Sequence, residues 1–134
     1  MESADLAESV MLEFSGKMGY GERQCEEIGL AVREAVINAV SHGNRWDIKK
    51  KVVLTAAIED RGLVICIKDE GEGFDPDSLP DPLVPDHTLH ESGRGFFLVK
   101  TCMDDVAVRR APSRGTELTM IKFRSKAPLR RNPK

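Results

Sequence analysis

The chain has 134 residues, which suits one domain with one core, and it carries a formal net charge of −2 with 31% charged residues. This balance argues against direct nucleic-acid binding and against attraction to acidic membranes. No apolar run approaches the roughly 20 residues of a membrane span. The cysteines Cys25, Cys66 and Cys102 are far apart and form no CxxC pair, which favours reduced thiols. We therefore expect a cytoplasmic protein.

Two helices are predicted at the start of the chain. Apolar residues recur at every fourth position over residues 6–18, which indicates an amphipathic first helix. Small and branched apolar side chains at helical spacing predict a second helix over residues 22–41, with a stop at residues 42–44. Within it, Glu34 and Asn38 are spaced by four, so they share one polar helix face with His42.

The rest of the chain is predicted to contain two hairpins and one helix. These are a strand pair over residues 52–58 and 63–68, a helix over residues 95–103, and a strand pair over residues 106–110 and 117–123. The order predicts an α+β fold, a two-layer sandwich with helices on one face of a mixed, mainly antiparallel sheet. We place one domain at residues 1–124 and expect a basic, disordered tail at residues 125–134.

Three glycine-containing segments follow the second helix in a fixed order. They are DEGEG at residues 69–73, SGRG at residues 92–95 and RGTEL at residues 114–118. Glycine lets another group approach the backbone closely, and the free N–H groups at a helix start favour phosphate. Each segment alone is also compatible with a tight turn, a hinge or a hairpin turn. SGRG matches neither a Walker loop nor a Rossmann fingerprint.

The polar residues near these segments suggest a phosphate and metal site. Asn38 offers a neutral oxygen that suits Mg²⁺ among phosphates, and Glu34 one turn earlier could act as a general base. Asp69 ends an apolar strand, where a carboxylate needs a donor, and an exocyclic amine could supply it. Two alternatives stay open at this point. Glu34 could pair with Arg33 or a lysine at the surface, and His42 could simply cap or pack.

The segments EAVINAVSHGN, DEGEGF, SGRGFFLV and RGTEL together resemble the N, G1, G2 and G3 boxes of the Bergerat-type, histidine-kinase-like ATPase fold. Within that fold the chain is most similar to the anti-sigma-factor serine/threonine kinases. EAVINAVSHG and the run GFFLVKTCMDDVAV carry this similarity, which covers about residues 6–124. The resemblance implies ATP and Mg²⁺ as cofactors.

The resemblance also implies a role for individual residues. Glu34 would be the catalytic base that activates a partner's serine hydroxyl, Asn38 would hold Mg²⁺, and Asp69 would receive the adenine amino group. Gly73 would lie close to the ring, and Thr116 would support the adenine contact. The other implied nucleotide-binding residues are Gly71, Gly93, Arg94, Gly95 and Phe96.

In function, the resemblance implies an anti-sigma regulatory factor. It would bind a sigma factor and phosphorylate a serine or threonine of an anti-sigma-factor antagonist, with residues 74–92 as a lid over ATP. Family members act as homodimers and usually begin with a strand, whereas this chain starts almost at its first helix. Glu91 stands where close relatives carry an arginine that reaches the γ-phosphate.

Two other functions are considered beside the kinase. The difference at Glu91 motivates a non-catalytic, nucleotide-gated module of the same fold that binds a partner. The third candidate is the detached catalytic domain of a sensor histidine kinase.

Overall fold

The computed structural model describes residues 1–71, 91–111 and 114–124, with the backbone alone for residues 91–94. The elements are α1 (Glu2–Lys17), α2 (Glu22–Asn38), a π-helical turn (Ala39–Gly43), β1 (Val53–Glu59), β2 (Gly62–Lys68), α3 (Glu91–Cys102), β3 (Asp105–Arg110) and β4 (Thr116–Phe123). Each helix and strand predicted from the sequence is present. The predicted tail, most of the predicted lid and Gly73 lie outside the described residues.

The four strands form one sheet in the order β1-β2-β4-β3. Every pairing among these strands is antiparallel, with Thr55 opposite Cys66 and Cys66 opposite Thr119. The predicted α+β class with a mainly antiparallel sheet is therefore confirmed. In this order the start of β4 lies beside the end of β2, which brings two of the glycine-containing segments together.

The core lies between the sheet and the helices, and α2 packs against both α1 and α3. Both layers contribute fully buried side chains, and the largest apolar ones are Met11, Ile28, Val32, Leu63, Ile65, Val99 and Met120. None of the helices in the described part of the chain combines the length and the hydropathy that a bilayer crossing requires.

Tyr20, just after α1, connects the helical layer to the sheet through hydrogen bonds. Its hydroxyl accepts a hydrogen bond from the Leu63 N–H at 2.9 Å and donates one to the Lys122 carbonyl at 2.5 Å. Burial raises the pKa of this phenol, since the charged form is disfavoured away from water.

The end of the second helix differs from its prediction. The regular helix stops at Asn38, and the chain continues as a π-helical turn in place of the expected helix to residue 41. Within the turn, the Asn44 N–H reaches back five residues to the Ala39 carbonyl, at 2.8 Å. Such wide turns are common at functional sites. The turn changes the direction in which the side chains after Asn38 point, relative to a continued α-helix.

The third helix also begins earlier than predicted, at Glu91 in place of residue 95. Gly93 and Gly95 therefore lie inside its first turns. Glycine in a helix costs only about 1 kcal/mol relative to alanine, so a glycine pair does not prevent helix formation.

Candidate functional site

An open cavity of about 600 Å³ lies along the polar face of α2. The residues that line it are Glu34, Ile37, Asn38, Ser41, His42, Trp46 and Gly95. The α2 members recur at three- and four-residue spacing because they occupy one side of the helix. The volume is within the range of roughly 300–1,000 Å³ that small-molecule sites occupy.

Gly95 of α3 closes one end of the cavity over Glu34 and Asn38. A Cβ at this position would lie 3.1 Å from Glu34 Oε1 and 3.3 Å from Asn38 Nδ2. The missing side chain therefore lets α3 approach the carboxylate and the amide closely. The structure thus brings together three residues that the sequence analysis selected from two separate segments.

Asp69 lies at the far end of the site, just after β2, and is only 5% exposed. Its Oδ1 accepts hydrogen bonds from the N–H groups of Gly71 at 2.9 Å and Thr116 at 3.1 Å. Its own N–H donates to the Thr116 carbonyl at 3.0 Å. These bonds compensate the desolvation of one carboxylate oxygen. Oδ2 has no hydrogen-bond partner among the described residues.

Three glycines from separate segments surround Asp69. A Cβ on Gly43 would overlap the Asp69 carboxylate, and a Cβ on Gly115 would overlap the Asp69 carbonyl. A Cβ on Gly71 would overlap the Gly43 carbonyl. Gly115 also has a φ of +94°, which glycine adopts without strain. Backbone segments can approach this carboxylate only because all three residues lack side chains.

The Thr116 hydroxyl is available for a hydrogen bond to a ligand at this end of the site. Thr116 is 5% exposed, and its Oγ1 has no hydrogen-bond partner within the described part of the chain. A buried polar group without a partner is uncommon in a folded protein. In the neighbouring Asp69, one carboxylate oxygen has no hydrogen-bond partner among these residues. An acceptor and a hydroxyl side by side suit the polar edge of a planar ring such as adenine.

Asn44 is a structural residue of the site to which the sequence analysis gave no role of its own. It is 2% exposed. Its Oδ1 accepts a hydrogen bond from the Glu70 N–H at 2.8 Å, and its Nδ2 donates one to the Lys51 carbonyl at 3.0 Å. It therefore fastens the segment after β2 to the end of the π-helical turn. A buried asparagine after His-Gly has no distinctive sequence signal.

The π-helical turn joins the two ends of the site. Ser41 and His42 lie on the wall of the cavity, while Gly43 packs against Asp69. Sequence reasoning left His42 open between packing and a direct role, and the structure places it on the cavity wall. Sequence reasoning did not select Ser41 or Trp46, since neither residue type indicates a binding site by itself.

The remaining predicted site residues are in α3. Gly93 and Arg94 belong to the first turn of α3, where helix N–H groups have no partner within the helix. Phe96 is absent from the residues that line the cavity, and its role in nucleotide binding stays a prediction. Successive helical residues point about 100° apart, so Phe96 is turned away from Gly95. Its ring instead lies 5.5 Å from the ammonium of Lys100.

The comparisons with known proteins agree with this architecture. The family model described as the histidine kinase-like ATPase domain matches residues 2–122. The chain is also similar in structure to the histidine kinase domain from Erythrobacter litoralis EL346 blue-light activated histidine kinase, with a TM-score of 0.56 and 21% identity. That match covers 76% of this chain and 46% of the other, so the chain spans about half that domain. This likeness concerns the fold.

Relatives found by sequence have a higher identity to this chain than that structure has, and the chain spans a larger share of their length. Over 123 residues the chain is 33% identical to Serine-protein kinase RsbW of Bacillus subtilis (strain 168). This alignment covers 85% of this chain and 76% of the relative. Over 103 residues it is 36% identical to Anti-sigma F factor of the same organism. That alignment covers 75% of this chain and 70% of the relative. The resemblance inferred from the sequence motifs is confirmed, and the chain belongs to the histidine kinase-like ATPase domain family.

Proposed function

We propose that the protein is an ATP- and Mg²⁺-dependent serine/threonine protein kinase that acts as an anti-sigma regulatory factor. It would bind a sigma factor and phosphorylate an antagonist of that factor. The relatives named as a serine-protein kinase and an anti-sigma factor support this proposal. The observation that carries it is the meeting of Glu34 and Asn38 under Gly95, in a cavity joined by one turn to the Asp69 end.

The two ends of the site suit the two ends of a nucleotide. Asp69 Oδ2 would accept the adenine amino group, and the Thr116 hydroxyl, which has no partner among the described residues, would support that contact. The phosphates would extend along α2 toward Asn38. There they would meet the positive N-terminal end of α3, whose first turn includes Gly93 and Arg94.

Magnesium would be held with the phosphates. The Asn38 side chain lines the cavity, and an amide oxygen is an acceptable ligand for a hard cation that keeps most of its water. When bound, the ion would neutralise phosphate charge.

Glu34 would serve as the general base for phosphoryl transfer. Its carboxylate would take the proton from the hydroxyl of a partner's serine or threonine. The hydroxyl oxygen would form a bond to the γ-phosphorus while the bond to the β–γ bridging oxygen breaks and ADP leaves with the electron pair. Most of the remaining catalysis would come from positioning and charge stabilisation.

The proposal is tested by transfer of label from γ-labelled ATP to the antagonist. Wild type should label a serine or threonine, and Glu34→Ala should slow transfer by about 10²–10⁴-fold, the usual contribution of a general base. Nucleotide binding, measured by calorimetry, should persist in the variant. Glu26→Ala is the matched control, because Glu26 is an exposed carboxylate on the same helix. Equal transfer by Glu34→Ala and wild type would refute the base assignment.

The same assay separates the alternatives. Nucleotide binding without labelled partner would indicate the non-catalytic binding module. Label that is lost in acid would indicate phosphohistidine and hence a detached histidine-kinase domain, whereas phosphoserine survives acid.

We also propose that the protein works in the cytoplasm as a homodimer. Light scattering of the purified protein tests the assembly, and a monomer at micromolar concentration would refute it. Pull-downs with ATP and with ADP should recover different partners, because partner exchange in this mechanism depends on the nucleotide.

A further inference from the structure

Trp46 is an unusual residue on the wall of the cavity. It is the only tryptophan of the chain, and its side chain is 62% exposed. Its φ is +62°, a left-handed backbone conformation that is rare for a bulky residue, and Arg45 before it has a φ of +52°. Burial of the indole cannot be what compensates this strain, because most of the ring surface is accessible.

Hydrogen bonds hold the strained turn in place. The Trp46 N–H donates to the Val40 carbonyl at 2.9 Å, and the Asp47 N–H donates to the Asn44 carbonyl at 3.0 Å. The buried Asn44 side chain donates a hydrogen bond to the Lys51 carbonyl, which holds the end of the turn in place. Backbone strain that the surrounding structure maintains is often found where a ligand is bound.

The position of Trp46 relates it to the polar face of α2. Glu34, Asn38, His42 and Trp46 follow one another at four-residue intervals and line the same cavity. Gly95 closes over the first two of these residues. Trp46 is therefore the aromatic residue on the wall that follows His42 along the chain, and Gly43 between them packs against Asp69.

We infer that Trp46 is a wall of the base-binding end of the site, against which the purine ring of the bound nucleotide stacks. The inference rests on the proposed function, because it requires a nucleotide in this cavity. A flat, rigid indole stacks on any base, whereas Asp69 and Thr116 contact only one ring edge. Trp46 should therefore add affinity for all purines, and Asp69 should select among them.

Titration of the 134-residue chain with Mg-ADP tests the inference directly. Since Trp46 is the sole indole, its fluorescence should change with the same midpoint as the calorimetric binding curve. Trp46→Leu removes the stacking face but keeps an apolar side chain of substantial volume. It should weaken ADP and GDP binding by a similar factor, about 5- to 100-fold, as expected for one base–aromatic stack. Trp46→Phe should retain most of the affinity.

Ile48→Ala is the matched control, because Ile48 is 97% exposed in the same turn and outside the residues that line the cavity. It should bind ADP like wild type. Circular dichroism checks that each variant is folded.

Trp46 also borders a second cavity of about 430 Å³ together with Ile48. If Trp46→Leu changed only the KM for the antagonist and left ADP affinity intact, Trp46 would belong to protein docking and the inference would be overturned. Calorimetric ADP binding with unchanged fluorescence and wild-type affinity in Trp46→Leu would also overturn it, while leaving the proposed function standing. Absence of any nucleotide binding to wild type would refute the proposed function itself.

Discussion

The two ends of the candidate site are built in different ways. At the Asp69 end, backbone N–H groups fix one carboxylate oxygen and three glycines bring the chain into contact around it. At the Glu34 end, side chains project from one face of a helix into an open cavity and a single glycine covers them. The first end is rigid and suits recognition of a fixed ring edge. The second leaves room for phosphates, a metal ion and an incoming hydroxyl.

The largest effect is expected from a side chain placed at the rigid end. Gly71→Ala would put a methyl group into the Gly43 carbonyl, which is backbone and cannot turn aside. We expect the free energy of unfolding to fall by about 3 kcal/mol, at the upper end for overpacking, and nucleotide binding to be lost. Chemical denaturation and calorimetry measure the two quantities. Gly21→Ala is the control, since its nearest contact would be 3.9 Å away. It should bind nucleotide like wild type and lose only the small stability that replacing an N-cap glycine with alanine costs.

A smaller effect is expected at Asn38, the proposed metal-binding position of the open end. Asn38→Ala should lower the affinity for Mg-ATP by about tenfold, the equivalent of roughly 1.4 kcal/mol, because one ligand of the ion is lost. In EDTA the variant and wild type should bind ATP alike. Asn38→Asp keeps an oxygen ligand and should retain the response to Mg²⁺. An Asn38→Ala protein with an undiminished response to Mg²⁺ would remove this residue from the metal site.

The smallest effect on the fold is expected from Gly95→Ala. The new methyl would lie 3.1 Å from Glu34 Oε1 and 3.3 Å from Asn38 Nδ2, so these flexible side chains must shift by a few tenths of an ångström. Alanine also favours a helix by up to about 1 kcal/mol over glycine. Stability should therefore be kept, while phosphoryl transfer falls about tenfold because Glu34 is displaced. Unchanged transfer would show that Gly95 does not constrain the base.

The difference between the two ends also explains what the sequence could predict. Glu34 and Asn38 lie on one regular helix, so their common face follows from spacing alone. Asp69 was selected as a carboxylate at the end of an apolar strand and again through the resemblance to a known fold, whereas Thr116 was selected through that resemblance alone. The helices and strands followed from hydrophobic periodicity, and antiparallel pairing followed from their order.

Features that depend on tertiary contacts were outside the reach of sequence reasoning. The π-helical turn forms because carbonyls after Asn38 bond to N–H groups five and six residues later, a choice that helical periodicity does not encode. The role of Gly43 requires that β2 end beside that turn. Asn44 becomes structural only when Glu70 and Lys51 lie within hydrogen-bond distance. The direction in which Phe96 points depends on where α3 begins, which is Glu91 and not the predicted residue 95.

In the proposed mode of binding, Asp69 recognises the edge of a purine while the phosphates lie near Asn38. The most direct test is calorimetric titration of wild type and Asp69→Asn with Mg-ATP and Mg-GTP. Wild type should prefer ATP, and Asp69→Asn should lose about 10- to 100-fold in ATP affinity, as expected for a hydrogen bond to a charged acceptor, together with that preference. Wild-type ATP affinity and base preference in Asp69→Asn would contradict the account.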